Sequence, residues 1–159
     1  LIREGLREEG LAVVRAVRDR YDGDKRNPFN EMECGSNYAR SMASYAFLIA
    51  LSGMTYDLTE GYLGFDPQPI PGQGEDFTCF FSVGEGWGQV EITPRALRLT
   101  LDGGSLSLKR VGLPRGRTAL AASLDGKPLS LACREGAAEL RASLGEGSVL
   151  EISLGEVQG

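Results

Sequence analysis

Between residues 2 and 21, Ile2, Leu6, Val13, Val14, Val17 and Tyr21 recur at mixed three- and four-residue spacings, with Arg3, Glu4, Arg7, Glu8, Arg15, Arg18 and Asp19 between them. That periodicity predicts an amphipathic helix. Gly5 and Gly10 inside it would each cost about 1 kcal/mol relative to Ala, so close packing against a neighbour must compensate. Residues 21–28, Tyr-Asp-Gly-Asp-Lys-Arg-Asn-Pro, form a turn-rich connection in which Pro28 pushes Asn27 out of helical geometry. A second helix follows, with Ser36 or Asn37 as its cap and Gly53 where a left-handed C-terminal cap would fall. Polar groups crowd its start, Arg40 sits in its first turn, and its continuation is almost wholly apolar. A helix apolar on every side is either a core element of a large protein or a membrane span. This run is shorter than the roughly 20 residues a span needs, so it belongs inside something larger.

After Asp57 the texture changes to alternation of apolar and polar positions. Residues 77–83, 87–92, 96–101, 105–110, 129–133, 139–144 and 149–154 read as strands, each able to cover a core with one face. Asp102-Gly103-Gly104, Asp125-Gly126, Glu135-Gly136 and Gly145-Glu146-Gly147 lie between them, the punctuation that tight hairpins need because their central residues take positive φ. The stretch from Gly61 to Glu75 is rich in Gly and Pro and lacks periodicity, which marks it as a link. The pattern therefore predicts an α+β chain: two N-terminal helices within residues 1–58, a linker over 59–76, and an antiparallel β-sandwich-like domain over 77–159. Two helices, one of them apolar all round, cannot satisfy themselves. They would pack on the sandwich, on a second copy, or on further helices.

Composition narrows the chemistry. The 159 residues carry a net charge of -5, which argues against a sequence-independent grip on nucleic acid or an anionic membrane and favours a neutral or polar small-molecule partner. There is no histidine, which removes Ser-His-Asp and Cys-His catalysis and the imidazole metal sites from this chain. Cys34, Cys79 and Cys133 are far apart with no CxxC spacing. They read as buried, reduced thiols rather than a zinc site or disulfide framework, and favour a reducing, cytoplasmic compartment. No metal and no cofactor is expected. Leu1 opens the chain on residues that already read as helix, as in a truncated or processed product, and no signal peptide or membrane segment is visible.

Glu31 and Glu33 are the obvious paired carboxylates, but two residues apart in a loop is a poor way to straddle a glycosidic bond, so spacing favours solvated charges. Glu31 with Arg40 offers two readings. A guanidinium in the first turn of a buried helix must be paired, because an unpaired buried charge costs several kcal/mol. Either the two form an internal salt bridge, or both point into a polar pocket and offer acceptors and donors to sugar hydroxyls. Gly84-Glu-Gly-Trp-Gly88 precedes no helix and no GK[ST], so it reads as a glycine-rich hairpin anchored by Trp87 rather than a phosphate loop. An exposed Trp87 could instead stack on a sugar ring. Arg95, Arg98, Lys109, Arg110, Arg115 and Arg117 are offset by acids and read as a solvated face.

The segment Asn27-Pro-Phe-Asn-Glu-Met-Glu-Cys-Gly-Ser-Asn-Tyr-Ala-Arg-Ser-Met-Ala-Ser-Tyr45, with Leu51-Ser-Gly-Met-Thr-Tyr-Asp57, closely resembles the C-terminal end of the catalytic domain in family 116 glycoside hydrolases. That group includes β-glucosidases, non-lysosomal glucosylceramidases and β-xylosidases. Residues 61–88, especially Leu63-Gly-Phe65 and Phe80-Phe-Ser-Val-Gly-Glu-Gly-Trp-Gly88, resemble an extension found in some bacterial relatives. The resemblance implies that the N-terminal helices are the last of an (α/α)6 toroid. It also implies that Glu31 and Arg40 line the subsite for the non-reducing sugar of a β-linked glycoside. The family is retaining, with a Glu nucleophile and an Asp acid/base upstream of this motif, and neither matching segment occurs here.

The expectation is thus the C-terminal part of a retaining β-glycosidase, contributing Glu31 and Arg40 but inactive alone, its helices packing on the remaining catalytic domain or a second copy. The alternative is a non-catalytic β-sandwich module that binds carbohydrate through Trp87 or docks another domain. A structural remnant with no activity of its own is the blandest reading.

Overall fold

The computed structural model describes residues 1–20, 23–24, 44–68, 72 and 74–157. The chain divides into two compact units, Leu1–Leu51 and Ser52–Gly159. Among the described residues, helices precede Gly53 and strands follow it, an α+β arrangement.

The predicted first helix is interrupted. Ile2–Glu4 forms a single 3-10 turn that ends at Gly5 (φ 85°), and α1 (Arg7–Arg18) begins two residues later. Gly5 therefore stops one element rather than weakening another. Gly10 is the glycine that packing requires: a Cβ there would lie 2.6 Å from Ile2 Cγ1, so the turn folds against the helix only because position 10 has no side chain. The apolar stripe of α1 is open to solvent at Val13 and Val17. α2 (Tyr45–Ser52) carries the apolar run, and Gly53 follows it at φ 60°, as expected of a left-handed cap. A Cβ on Gly53 would strike the Asp66 carbonyl oxygen at 2.0 Å.

Among the described residues of the second unit, ten strands form one large mixed sheet: β1 (Thr55–Asp57), β2 (Tyr62–Gly64), β3 (Phe77–Val83), β4 (Gly86–Thr93), β5 (Ala96–Gly112), β6 (Arg117–Leu124), β7 (Lys127–Pro128), β8 (Ala132–Arg134), β9 (Ala137–Gly145) and β10 (Val149–Glu156). β5 is its spine. The first part of β5 pairs antiparallel with β4 and β10, and the second part pairs with β9 and, in parallel, with β2. β6 joins the far edge of β10, β3 the far edge of β4, and β8 the far edge of β9. The parallel β2–β5 pair makes the sheet mixed, where alternation alone had suggested an antiparallel one. The chain reaches it by a long crossover through β3 and β4, which parallel pairing requires.

Two expectations fail here for identifiable reasons. Asp102-Gly103-Gly104 is not a turn: residues 96–101 and 105–110 belong to one strand that runs through it. A Cβ on Gly104 would lie 1.7 Å from the Glu85 carbonyl oxygen, so the glycine serves a close approach of neighbouring backbone, at φ 78°. Of residues 129–133, only Ala132 and Cys133 are in a strand, while β6 arises from a stretch the alternation did not mark. In the glycine- and proline-rich stretch after Asp57, Leu63 and Phe65 are buried, so part of it belongs to the sheet. The two-residue turns Asp125-Gly126 (φ 50° and 75°) and Glu135-Gly136 (φ 49° and 73°) close hairpins as predicted.

Alternation decides the core. Val90 and Ile92, Leu97, Leu99 and Leu101, Leu150, Ile152 and Leu154 point inward from the first part of the sheet, and Leu106, Leu108, Leu140 and Leu144 from the second. Phe81, Phe65 and Leu63 join the same cluster, with Phe65 and Phe81 edge to face at 6.0 Å. Each fully buried Leu or Ile is worth roughly 1.5–3 kcal/mol.

Candidate functional site

The residues that face outward from β3 and β4 are fixed by the same alternation. In β3, Phe81 and Val83 go to the core, so Thr78, Phe80 and Ser82 face solvent; in β4, Val90 and Ile92 go in, so Trp87, Gln89 and Glu91 face out. The register sets Ser82 opposite Trp87 and Phe80 opposite Gln89, which makes Phe80 and Trp87 diagonal neighbours on one face. Their ring centroids are 6.3 Å apart with planes inclined at 40°. Phe80 is 48% and Trp87 47% exposed.

Trp87 has a built seat. It lies opposite Gly103 in β5, and a Cβ on that glycine would sit 2.7 Å from indole Cε2 and Nε1. The indole therefore lies on bare backbone, an arrangement by which an aromatic ring shields a strand glycine. The register shifts between Trp87 and Gly88, and a Cβ on Gly88 would meet the Thr100 carbonyl oxygen at 2.0 Å. Next to the rings, Gln89 Nε2 donates to Asp102 Oδ2 at 3.2 Å. That bond orients the amide so that its carbonyl oxygen, and the second carboxylate oxygen, remain as acceptors. Farther along the face, Arg98 of β5 is in register with Glu91 on one side and Glu151 on the other, so opposite charges alternate across three strands. The face offers two aromatic rings bordered by hydrogen-bonding groups.

The sequence-predicted residues fall in different places. Glu31 and Arg40, with Glu33, Cys34, Ser36 and Asn37, lie outside the described residues. Trp87 is on the β4 face just described, an anchor on one side and half-exposed on the other. The two described cysteines, Cys79 and Cys133, depart from the expectation of buried thiols. Cys133 is exposed, on the short edge strand β8, where Thr118 Oγ1 donates to its sulfur at 3.3 Å. Cys79 is half-buried on the inward side of β3. Burial pushes its thiol up to about 11, while a hydrogen bond with the fully buried Ser52 acts in the opposite direction. A thiol so rarely ionised is no nucleophile near neutral pH. Among the described residues no group of three His, Cys, Asp or Glu could hold a metal ion, and no helix is long and apolar enough to cross a membrane.

Phe80 was not singled out from sequence, although the signal was there: in Cys79-Phe80-Phe81 the alternation forces one of two adjacent aromatics outward. The chain matches no family model and no curated protein.

Proposed function

We propose that this chain is the closing part of a retaining β-glycosidase of the β-glucosidase or glucosylceramidase type, in which Glu31 and Arg40 bind hydroxyls of the non-reducing sugar. In this reading the helices of residues 1–58 complete an (α/α)6 toroid, and residues 77–159 form a β-sandwich-like domain. The nucleophile and acid/base belong to the remainder of the catalytic domain, so the chain alone does not hydrolyse a glycoside. The observation that carries the reading, beside the motif at 27–45, is the state of the helices. Leu6, Val13 and Val17 in or beside α1 and Tyr45, Leu48 and Ile49 on α2 are large apolar side chains open to solvent. Helices of that kind are complete only when other helices cover them. The sandwich-like reading draws support from β5, whose two parts have different partners yet feed one core.

The deciding experiment is Arg40→Ala in the full parent enzyme, assayed on an aryl β-glucoside. Loss of a charged hydrogen bond to the substrate lowers kcat/KM by about 2 to 4 kcal/mol of transition-state stabilisation. Unchanged turnover and affinity would sink the assignment.

The Phe80–Trp87 face favours a second reading, a non-catalytic carbohydrate-binding module. Aromatic rings take the apolar face of a pyranose, and Gln89 and Asp102 stand ready for its hydroxyls. Titration of the isolated chain with β-glucan oligosaccharides, followed by the fluorescence of its single Trp, tests this. A saturable change that Phe80→Ala removes supports the module, and a flat titration rejects it.

A further inference from the structure

A second site lies on the other part of the sheet. Strict alternation after Leu106 and Leu108 would send Arg110 into the core, yet Lys109 and Arg110 are both exposed and burial resumes at Val111. A register shift between Leu108 and Arg110 against β9 causes this. The N–H groups of Lys109 and Arg110 both donate to the Gly61 carbonyl oxygen, at 2.8 and 3.1 Å, which pins the irregularity in place. Such bulges re-aim side chains and recur beside functional sites. Here the result is two consecutive cations facing out, beside Arg141 of β9.

These three cations line one open cleft of about 610 Å³, within the range of small-molecule sites. Leu131 gives it an apolar patch, and Ser130 a hydroxyl. Its one carboxylate, Glu139, stands opposite Arg110 in the β5–β9 register and lies 3.7 Å from Arg134 Nε. Nearby, Arg115 pairs with Asp66, and Arg117 with Glu75 and Glu156. Among the described residues Lys109, Arg110 and Arg141 have no ion-pair partner. Arg110 is nonetheless held, its guanidinium carbon 5.3 Å from the centre of the Tyr62 ring. On a chain of net charge -5, three cations against one carboxylate in a concavity favour negative charge.

We propose that this cleft binds an oxyanion, phosphate or carboxylate, carried on a body of sugar size: the cations take the anion and Leu131 takes the apolar part. The site is distinct from the Phe80–Trp87 face and does not depend on the glycosidase reading. The full chain is titrated by calorimetry with glucose 6-phosphate, glucuronate, inorganic phosphate and glucose. The expected result is saturable binding of at least one sugar-borne anion, weakened by salt, and none of glucose. The double substitution Lys109→Gln/Arg141→Gln should weaken it about tenfold or more while the thermal melt is unchanged, since both residues are exposed. Preference for glucose 6-phosphate or for glucuronate identifies the anion. Glucose binding as tightly as its phosphate, no saturable anion binding, or an affinity that survives the double substitution overturns the proposal. An Arg110→Lys variant keeps the charge and guards against a folding artefact, because it should retain most of the binding.

Discussion

The helical residues and the sheet handle the same kind of side chain in opposite ways. In the sheet, Leu97, Leu99, Leu101, Leu150 and Ile152 have essentially no exposed surface, whereas in the helices Val13 is 53% and Leu48 41% exposed. The sheet spends most of its apolar residues on itself, and among the described residues its exposed large apolar side chains are Tyr56, Phe80, Trp87 and Leu120. The helices leave several of theirs open to solvent. One region buries its apolar side chains within itself, and the other, on the reading proposed above, awaits further helices to cover it.

The largest effect expected is at the centre of the sheet. Leu99→Ala should cost about 3 kcal/mol, within the usual range for a buried leucine, whereas Leu48→Ala on α2 should stay within about 0.5 kcal/mol. Urea denaturation followed through Trp87 measures the first, and helical circular dichroism the second. Equal losses would mean that α2 already has its partners, and the contrast would collapse. Gly104→Ala comes next, at about 2 kcal/mol or more, because a left-handed backbone and the Glu85 carbonyl both oppose the new methyl. Had Asp102-Gly103-Gly104 been a free turn, the same change would be mild. Trp87→Ala should lower sheet stability by roughly 1 kcal/mol, since it bares Gly103 and ends the contact with Phe80.

The smallest effect concerns pH. The Cys79 thiol is raised from 9.0 to about 11 in the folded chain, so the folded state keeps this proton longer than the unfolded one. Its stability is full below the unfolded value, declines as pH rises from there, and levels off above the folded value. Melting temperatures measured across that alkaline window should fall less steeply in Cys79→Ala than in the parent sequence. The difference should appear in the signal of the sheet and not in that of the helices; its absence would mean that Cys79 is in contact with water.

What could be read from sequence followed from local physics. The left-handed cap at Gly53 and the turns at Asp125-Gly126 and Glu135-Gly136 were legible because each depends on residues adjacent in the chain. The role of Gly103 and Gly104 was not, because the same glycines serve a turn or a close approach, and the choice lies with Trp87 and Glu85, residues distant in sequence. β6 escaped because a bulge against β10 between Ser153 and Leu154 turns Leu120 outward and breaks the alternation. The outward pairing of Lys109 with Arg110 was hidden by the same kind of slip. For the candidate sites, Trp87 was legible by its rarity and its glycine-rich setting, Phe80 only once the register was known.

The position of β10 between β5 and β6 has a consequence for synthesis. β5 and β6 are separated in sequence by only a few residues, yet they are joined in the sheet only through a strand made some thirty residues later, on the order of seconds at ribosomal rates. Until residue 156 has emerged, both carry an unpaired edge facing the cytosol or the lumen into which the chain is delivered. Such edges are templates for pairing with another chain. A nascent chain stalled before β10 is thus the form of this protein most prone to aggregate, and the one for which a chaperone would matter most.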